Sequence, residues 1–160
     1  FPTIPQSFDF SDYDVVMIIG PQGSGKSTIA NEMTSYNYIS QDQLKYKTKC
    51  TKLMDSLLKK NEKVVIDNTH CKVQSRKGYL DIAKKYNKKV LAIILKVTKE
   101  QSLFLVNYRC KVDKKIKVPD VAIHSYFKFY EEPTNDEGFD KLIYIQFVPK
   151  FNMDLFNQYY

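Results

Sequence analysis

Nine consecutive residues carry the strongest chemical signal in the chain: Gly20-Pro21-Gln22-Gly23-Ser24-Gly25-Lys26-Ser27-Thr28. They satisfy G-x-x-x-x-G-K-[ST], a pattern whose glycines let the backbone curl until several N–H groups face one anion. A helix beginning at about Lys26 would add the positive end of its dipole. In that setting Lys26 reaches the β- and γ-phosphates of ATP, and the Ser27 hydroxyl ligates Mg²⁺. The pattern binds a nucleotide and says nothing about what accepts its phosphate.

Two acids stand where phosphoryl transfer needs them. Asp67 closes the apolar run Lys63-Val64-Val65-Ile66-Asp67. At a strand end beside the loop it can accept from Mg²⁺-bound water, although an acid there also caps a turn. Asp42 follows Tyr38-Ile39-Ser40 and opens a helix. It could take the proton of an acceptor hydroxyl, or simply suit the helix dipole. Arg109 closes a later helix, where a permanent cation suits either phosphoryl oxygens or the dipole. Spacing alone leaves each pair of readings open. The same holds for Arg76, which could be a solvated helix cation, and for Asn68 and Thr69, which could form a plain polar turn.

The elements that must position these residues follow from periodicity. Val15 to Ile19 is a continuous apolar run, as in a strand buried on both faces of a parallel sheet. It ends at Gly20, and the helical pattern from Lys26 runs to about Ser35. A short strand over 38–40 precedes one helix over 41–60, with Leu44, Leu53, Met54, Leu57 and Leu58 at helical spacing. After the strand at 63–67 come a helix from Val73 to Tyr86 and a strand over 90–95. Thr98 caps a helix reaching Arg109 or Cys110, with Gln101 completing a capping box. A Lys-rich connector, 111–117, leads to a helix from near Pro119 that Pro133 stops. Leu142 to Phe147 makes the last strand. Strands alternating with helices predict an α/β three-layer sandwich of the P-loop NTPase type, with a mostly parallel sheet of about five strands. Its site lies at the carboxyl edge. The kinase domain is read as 15–147, between an extended lead-in (1–14) and a tail (148–160).

With 160 residues and 43% hydrophobic content, the chain is the size of one domain with a core. It reaches no run of the roughly 20 apolar residues that span a bilayer, and no secretory leader is expected. It begins Phe-Pro-Thr without Met, which reads as an excised domain. Cys50, Cys71 and Cys110 lack C-x-x-C spacing, so free thiols in a reducing compartment are expected. A net charge of +7 is compatible with a polyanionic partner or with a solvated Lys-rich surface.

The motifs together resemble the 5′-kinase domain of polynucleotide kinase/phosphatases. The pieces are the loop at 20–28, Asp42 with Leu44, Val65-Ile66-Asp67-Asn68-Thr69, Ser75-Arg76 with Tyr79, and Asn107-Tyr108-Arg109. The last is Glu131-Glu132-Pro133-Thr134-Asn135-Asp136-Glu137-Gly138-Phe139. The likeness spans about Val15 to Phe147. It implies that Asp42 is the general base toward a 5′-hydroxyl and that Arg109, on a short helical lid, stabilises the transferring phosphoryl group. By the same resemblance Arg76 holds substrate phosphate, while Asn68 and Thr69 line the acceptor and nucleotide sides of the cleft. The partner implied is DNA or RNA with a 5′-OH end, and a 3′-phosphatase domain would lie on other sequence, since no D-x-D-x-T signature occurs here. The domain is read as a monomer, nuclear if it serves DNA repair and cytoplasmic if viral or RNA-directed.

Two positions depart from the family. Gln41 stands where an Arg commonly precedes the base, which would either weaken a direct clamp on the substrate phosphate or move it to Lys45 or Lys47. His70 stands where an Asn is usual, and it is given no role; His124 is read as structural. The aromatic tail (Phe151, Phe156, Tyr159, Tyr160) could stack on bases or pack on the core. Two other functions compete: a P-loop kinase of a small hydroxyl compound, and a non-catalytic nucleotide-dependent interaction module. The late E-x-P-T-x-x-E-G-F segment and the basic charge speak against the first, and an intact Asp42 with Arg109 against the second.

Overall fold

A computed structural model describes residues 9–112 and 118–146. Five strands form its sheet: β1 (Val15–Ile19), β2 (Asn37–Ser40), β3 (Val64–Asp67), β4 (Val90–Lys96) and β5 (Lys141–Gln146). Their order across the sheet is β2-β3-β1-β4-β5, and every pairing is parallel. All five carboxyl ends therefore fall on one edge. The chain leaves β1 toward β2 on one side and later crosses to β4 on the other. That change of direction opens a crevice at the end of β1, where ligands bind in such sheets.

Helices α1 (Lys26–Glu32), α2 (Gln41–Leu44), α3 (Lys47–Lys59), α4 (Val73–Lys85), α5 (Lys99–Val112) and α6 (Asp120–Phe129) cover the sheet, with a 3₁₀ turn at Asn135–Glu137. β1 is buried along its whole length, and alternate side chains serve two cores. Val15, Met17 and Ile19 pack with Cys50, Met54 and Leu58 of α3 and Tyr79, Leu80 and Ala83 of α4. Val16 and Ile18 pack with Ile29 and Ala30 of α1, and with Met33 and Tyr36. Each such aliphatic side chain contributes about 1.5–3 kcal/mol by leaving water, so β1 holds the layers together.

The three-layer prediction holds, and the differences are local. The helix expected over 41–60 is two helices, because Lys45 adopts φ 71° and turns the chain between α2 and α3. Helix α1 ends at Glu32 rather than near Ser35. Helix α6 ends at Phe129, four residues before Pro133, as Tyr130 goes extended and the Glu131 N–H donates to the Cys71 carbonyl at 2.9 Å. The capping box of α5 is present: the Thr98 N–H donates to Gln101 Oε1 at 2.9 Å and the Gln101 N–H to Thr98 Oγ1 at 3.1 Å. The three cysteines are free thiols. Most of the lead-in, the heart of the Lys-rich connector, and the tail lie outside the described residues, as does Phe147.

Candidate active site

A cleft of about 810 Å³ opens at the carboxyl edge. The phosphate loop forms its floor with Gln22, Gly23, Gly25, Lys26 and Ser27. Ser40, Gln41, Asp42 and Lys45 line one side, Asp67, Asn68 and Thr69 another, and Val106, Arg109 and Cys110 of α5 cover it. Residues as far apart in the chain as Gln22 and Cys110 come together in one site because β1, β2 and β3 end on the same edge and α5 leans over it.

Left-handed backbone builds the loop. Gly23 has φ 77° and Gly25 φ 93°, which side-chain-bearing residues rarely adopt. The Pro21 carbonyl is the brace: Ser24 Oγ donates to it at 2.7 Å and Lys26 Nζ at 2.9 Å. Gly20 is needed for space, since a Cβ there would lie 2.8 Å from Ser24 Oγ and 3.1 Å from Leu95 Cβ. Gly20 and Ser24 thus shape the loop from behind, and neither they nor Thr28 line the cleft wall. Burial lowers the Lys26 pKa; the Asp67 and Asp42 carboxylates oppose that, and Arg109 adds to it. The four charges named for transfer therefore sit within electrostatic reach of one another.

Asp67, at the end of β3, is 8% exposed. Its Oδ2 accepts from Tyr38 Oη at 2.5 Å. Burial, and then this hydrogen bond, push the Tyr38 pKa up, so the phenol stays a donor. Tyr38 also lines the cleft. Sequence reading placed it only in a strand; the available signal was a hydroxyl two residues before the strand's carboxyl end.

Asp42 is exposed at the mouth of the cleft. Ser40 caps α2, its Oγ accepting from the Asp42 N–H at 3.2 Å. Asn68 ties that corner to β3: its Oδ1 accepts from the Gln41 N–H at 2.8 Å, and its Nδ2 donates to Tyr79 Oη at 3.1 Å. One end of the Asn68 amide thus holds the start of α2, which carries Asp42, while the other is anchored on α4. Thr69 and Lys45 also line the cleft.

Arg76 is a correction. It is fully buried and absent from the cleft. Its Nε donates to Glu137 Oε1 at 2.8 Å, its Nη2 to Oε2 at 3.1 Å, and its Nη1 to the His70 carbonyl at 2.7 Å. A guanidinium so engaged braces the turn after Thr69 and does not reach a substrate phosphate. Glu137 belongs to the E-x-P-T-x-x-E-G-F segment. There Thr134 and Glu137 form a capping box, Gly138 takes φ 119°, and Phe139 is buried. The segment is a latch on Arg76, and none of its residues lines the cleft. His70 is buried edge-on to Tyr79 with its centroid 5.3 Å away, and burial lowers its pKa to about 3. His124 is exposed on α6 and does not line the cleft.

The residues fit Mg²⁺. Ser27 and Asp67 offer hard oxygen atoms beside the phosphate loop, and no group of three or more His, Cys, Asp or Glu gathers among the described residues. Mg²⁺ is usually held in this manner, by one or two protein oxygens plus substrate phosphates and water.

The AAA domain family model (AAA_33) matches residues 15–133, from the start of β1 to the beginning of the latch. The chain belongs to this family of P-loop kinase domains. It is 33% identical over 147 residues to a bifunctional polynucleotide phosphatase/kinase of Schizosaccharomyces pombe, covering 89% of this chain and 36% of that protein. It is 36% identical over 140 residues to an Acanthamoeba polyphaga mimivirus protein that carries the same name in provisional form, covering 84% and 33%. The chain thus spans about a third of the length of these curated relatives. Among solved structures, a gluconokinase from Sinorhizobium meliloti 1021 superposes with a TM-score of 0.61 at 15% identity, over 84% of this chain and 83% of that one. At that identity the likeness is one of fold. The domain is therefore a P-loop phosphotransferase, and the resemblance read from its motifs extends over most of the chain. No helix among the described residues is long and apolar enough to cross a membrane.

Proposed function

We propose that this domain transfers the γ-phosphate of ATP to the 5′-hydroxyl end of a nucleic acid. One observation carries the reading: Asp42, Lys26, Asp67 and Arg109 line a single cleft. Lys26 holds the β- and γ-phosphates once it leaves the Pro21 carbonyl, and the loop N–H groups cradle them. Ser27 and Asp67 hold Mg²⁺, which supplies charge neutralisation on the phosphates when bound. Asp42, exposed at the mouth, accepts the proton of the incoming hydroxyl, and Arg109 faces the charge on the moving phosphoryl group.

The acceptor side supports a polyanion. Lys45, Lys47, Lys49 and Lys52 are exposed, and no acid occurs between Asp42 and Asp55. The two named relatives are consistent with this acceptor, and their phosphatase activity would belong to sequence outside this domain. A nuclear or a viral setting both suit such an end-healing role.

The test is transfer of labelled γ-phosphate from ATP to a 5′-OH oligonucleotide, with and without Mg²⁺. Asp42→Asn should lower transfer by about 10²–10⁴-fold while leaving ATP affinity within about threefold. Lys26→Ala should lower transfer and ATP affinity together. Tight ATP binding with no label on any DNA or RNA end would refute the acceptor, and labelling of a small sugar instead would identify a metabolite kinase.

A further inference from the structure

Helix α5 is fastened to the phosphate loop at a place that the transfer chemistry does not use. Ser102 is fully buried, and its Oγ donates to the Gln22 carbonyl at 2.5 Å across a sequence gap of 80 residues. Serines inside helices commonly bond back to their own preceding turn; this one reaches the loop instead. One turn on, the helix packs on the loop directly. A Cβ at Gly23 would lie 3.1 Å from Val106 Cγ2 and 3.2 Å from Leu105 Cβ. Three residues further, Arg109 lines the cleft.

Ser102, Val106 and Arg109 are spaced i, i+4, i+7, so they form one stripe. Seven residues amount to about 10 Å of rise and fall about 20° short of two full turns. The first residue of the stripe is hydrogen-bonded to the loop, the second is packed on it, and the third carries the cation. The start of the helix is also fixed, by the Thr98–Gln101 box and by the Ser102 N–H donating to the Thr98 carbonyl at 2.9 Å. A helix held at its base and pressed on the loop at mid-length places its last turn by rigid geometry.

We propose that Ser102 is a positioning residue for phosphoryl transfer: through the Gln22 carbonyl it seats α5 on the phosphate loop and thereby sets where Arg109 stands over the phosphates. The inference rests on the role given above to Arg109, and not on the identity of the acceptor. Ser102 touches no substrate. Its removal leaves the Gln22 carbonyl without this donor and lets the helix tilt, so its effect should pass through Arg109.

The experiment is a double-mutant cycle on Ser102→Ala and Arg109→Ala, read by ATP hydrolysis to water in the absence of any acceptor. The ATP KM and the thermal midpoint of each variant are measured alongside. Ser102→Ala should lower kcat about tenfold with the ATP KM within about twofold, and Arg109→Ala should lower kcat about 10²-fold. In the Arg109→Ala background Ser102→Ala should change kcat by less than about twofold, because residues acting as a unit are non-additive. Multiplicative losses, a loss confined to KM or to the thermal midpoint, or an Arg109→Ala enzyme with the wild-type rate would each overturn the proposal. Hydrolysis reports the coupling whatever the acceptor is. Intact coupling with no phosphate on any nucleic-acid end would count against the proposed acceptor alone.

Discussion

Replacing Glu137 with Ala would strip a fully buried guanidinium of its carboxylate. Arg76 is 0% exposed, its ion-pair partner's side chain is 7% exposed, and two hydrogen bonds of 2.8 and 3.1 Å join them. Removing one member of such a pair costs about 3–5 kcal/mol, because the remaining charge is left in a poorly solvated site. The substitution also removes the Glu137 Oε2 that accepts from the Thr134 N–H at 2.9 Å, which loosens the 3₁₀ turn. With a urea m-value of about 2 kcal/mol/M, a 4 kcal/mol loss moves the unfolding midpoint down by about 2 M. Replacing both partners with Met should be far milder, since apolar replacement of a buried pair is often near neutral. Its residual cost, about 1–3 kcal/mol, comes from the His70 and Cys71 carbonyls that lose the Arg76 donor. The assay is urea unfolding of Glu137→Ala, Arg76→Met and the Arg76→Met/Glu137→Met double variant, with the KM for ATP and for acceptor measured on each. Recovery of most stability in the double variant, with both KM values within about threefold of wild type, is the expected result. An Arg76→Met protein with an unshifted urea midpoint and a greatly raised acceptor KM would refute the brace and restore Arg76 to the substrate.

Three further outcomes follow from named contacts. Tyr38→Phe deletes the donor that orients Asp67; the Mg²⁺ concentration for half-maximal activity should rise about tenfold, as when a ligand loses its supporting hydrogen bond, and an unchanged Mg²⁺ titration would remove Asp67 from the metal site. Gly23→Ala places a Cβ at φ 77° and 3.1 Å from Val106, at a backbone cost of about 1–2 kcal/mol before any clash; ATP affinity measured by calorimetry should fall at least tenfold. His70 is held neutral with its pKa lowered to about 3 from 6.5, so only the unfolded chain binds its proton between those values. The sign is therefore a loss of stability as pH falls below about 6.5, about 2 kcal/mol between pH 7 and pH 5. Urea unfolding of wild type against His70→Leu over that range should show the slope only where the His is present.

The architecture was legible because its signals are local. Val15 to Ile19 reads as a doubly buried strand from five apolar residues, and the phosphate loop reads from glycines that a tight left-handed turn requires. The Thr98–Gln101 box was visible in the same way, since both partners lie within one turn. The break between α2 and α3 was not, because Lys45 takes a positive φ that nothing in its own type announces. Nor was the role of Tyr38, whose hydroxyl matters only because β2 and β3 pair in the register Ser40 to Asp67.

What the sequence determined by itself was the chemistry of the floor and the class of fold: a phosphate cradle between strand and helix, and acids at strand ends of a parallel α/β sheet. What only the tertiary structure decided was which of the remaining polar residues act. Arg76 and Arg109 are the same residue type, each on a helix, each inside a recognisable motif. One is sealed behind the site by Glu137, 61 residues away, and the other lines the cleft. Glu137 and Ser102 likewise carry no mark of their function, since each acts on a partner brought close only by the packing of helices on the sheet. A charge becomes a brace or a tool according to what desolvates and pairs it, and those partners are distant in the chain.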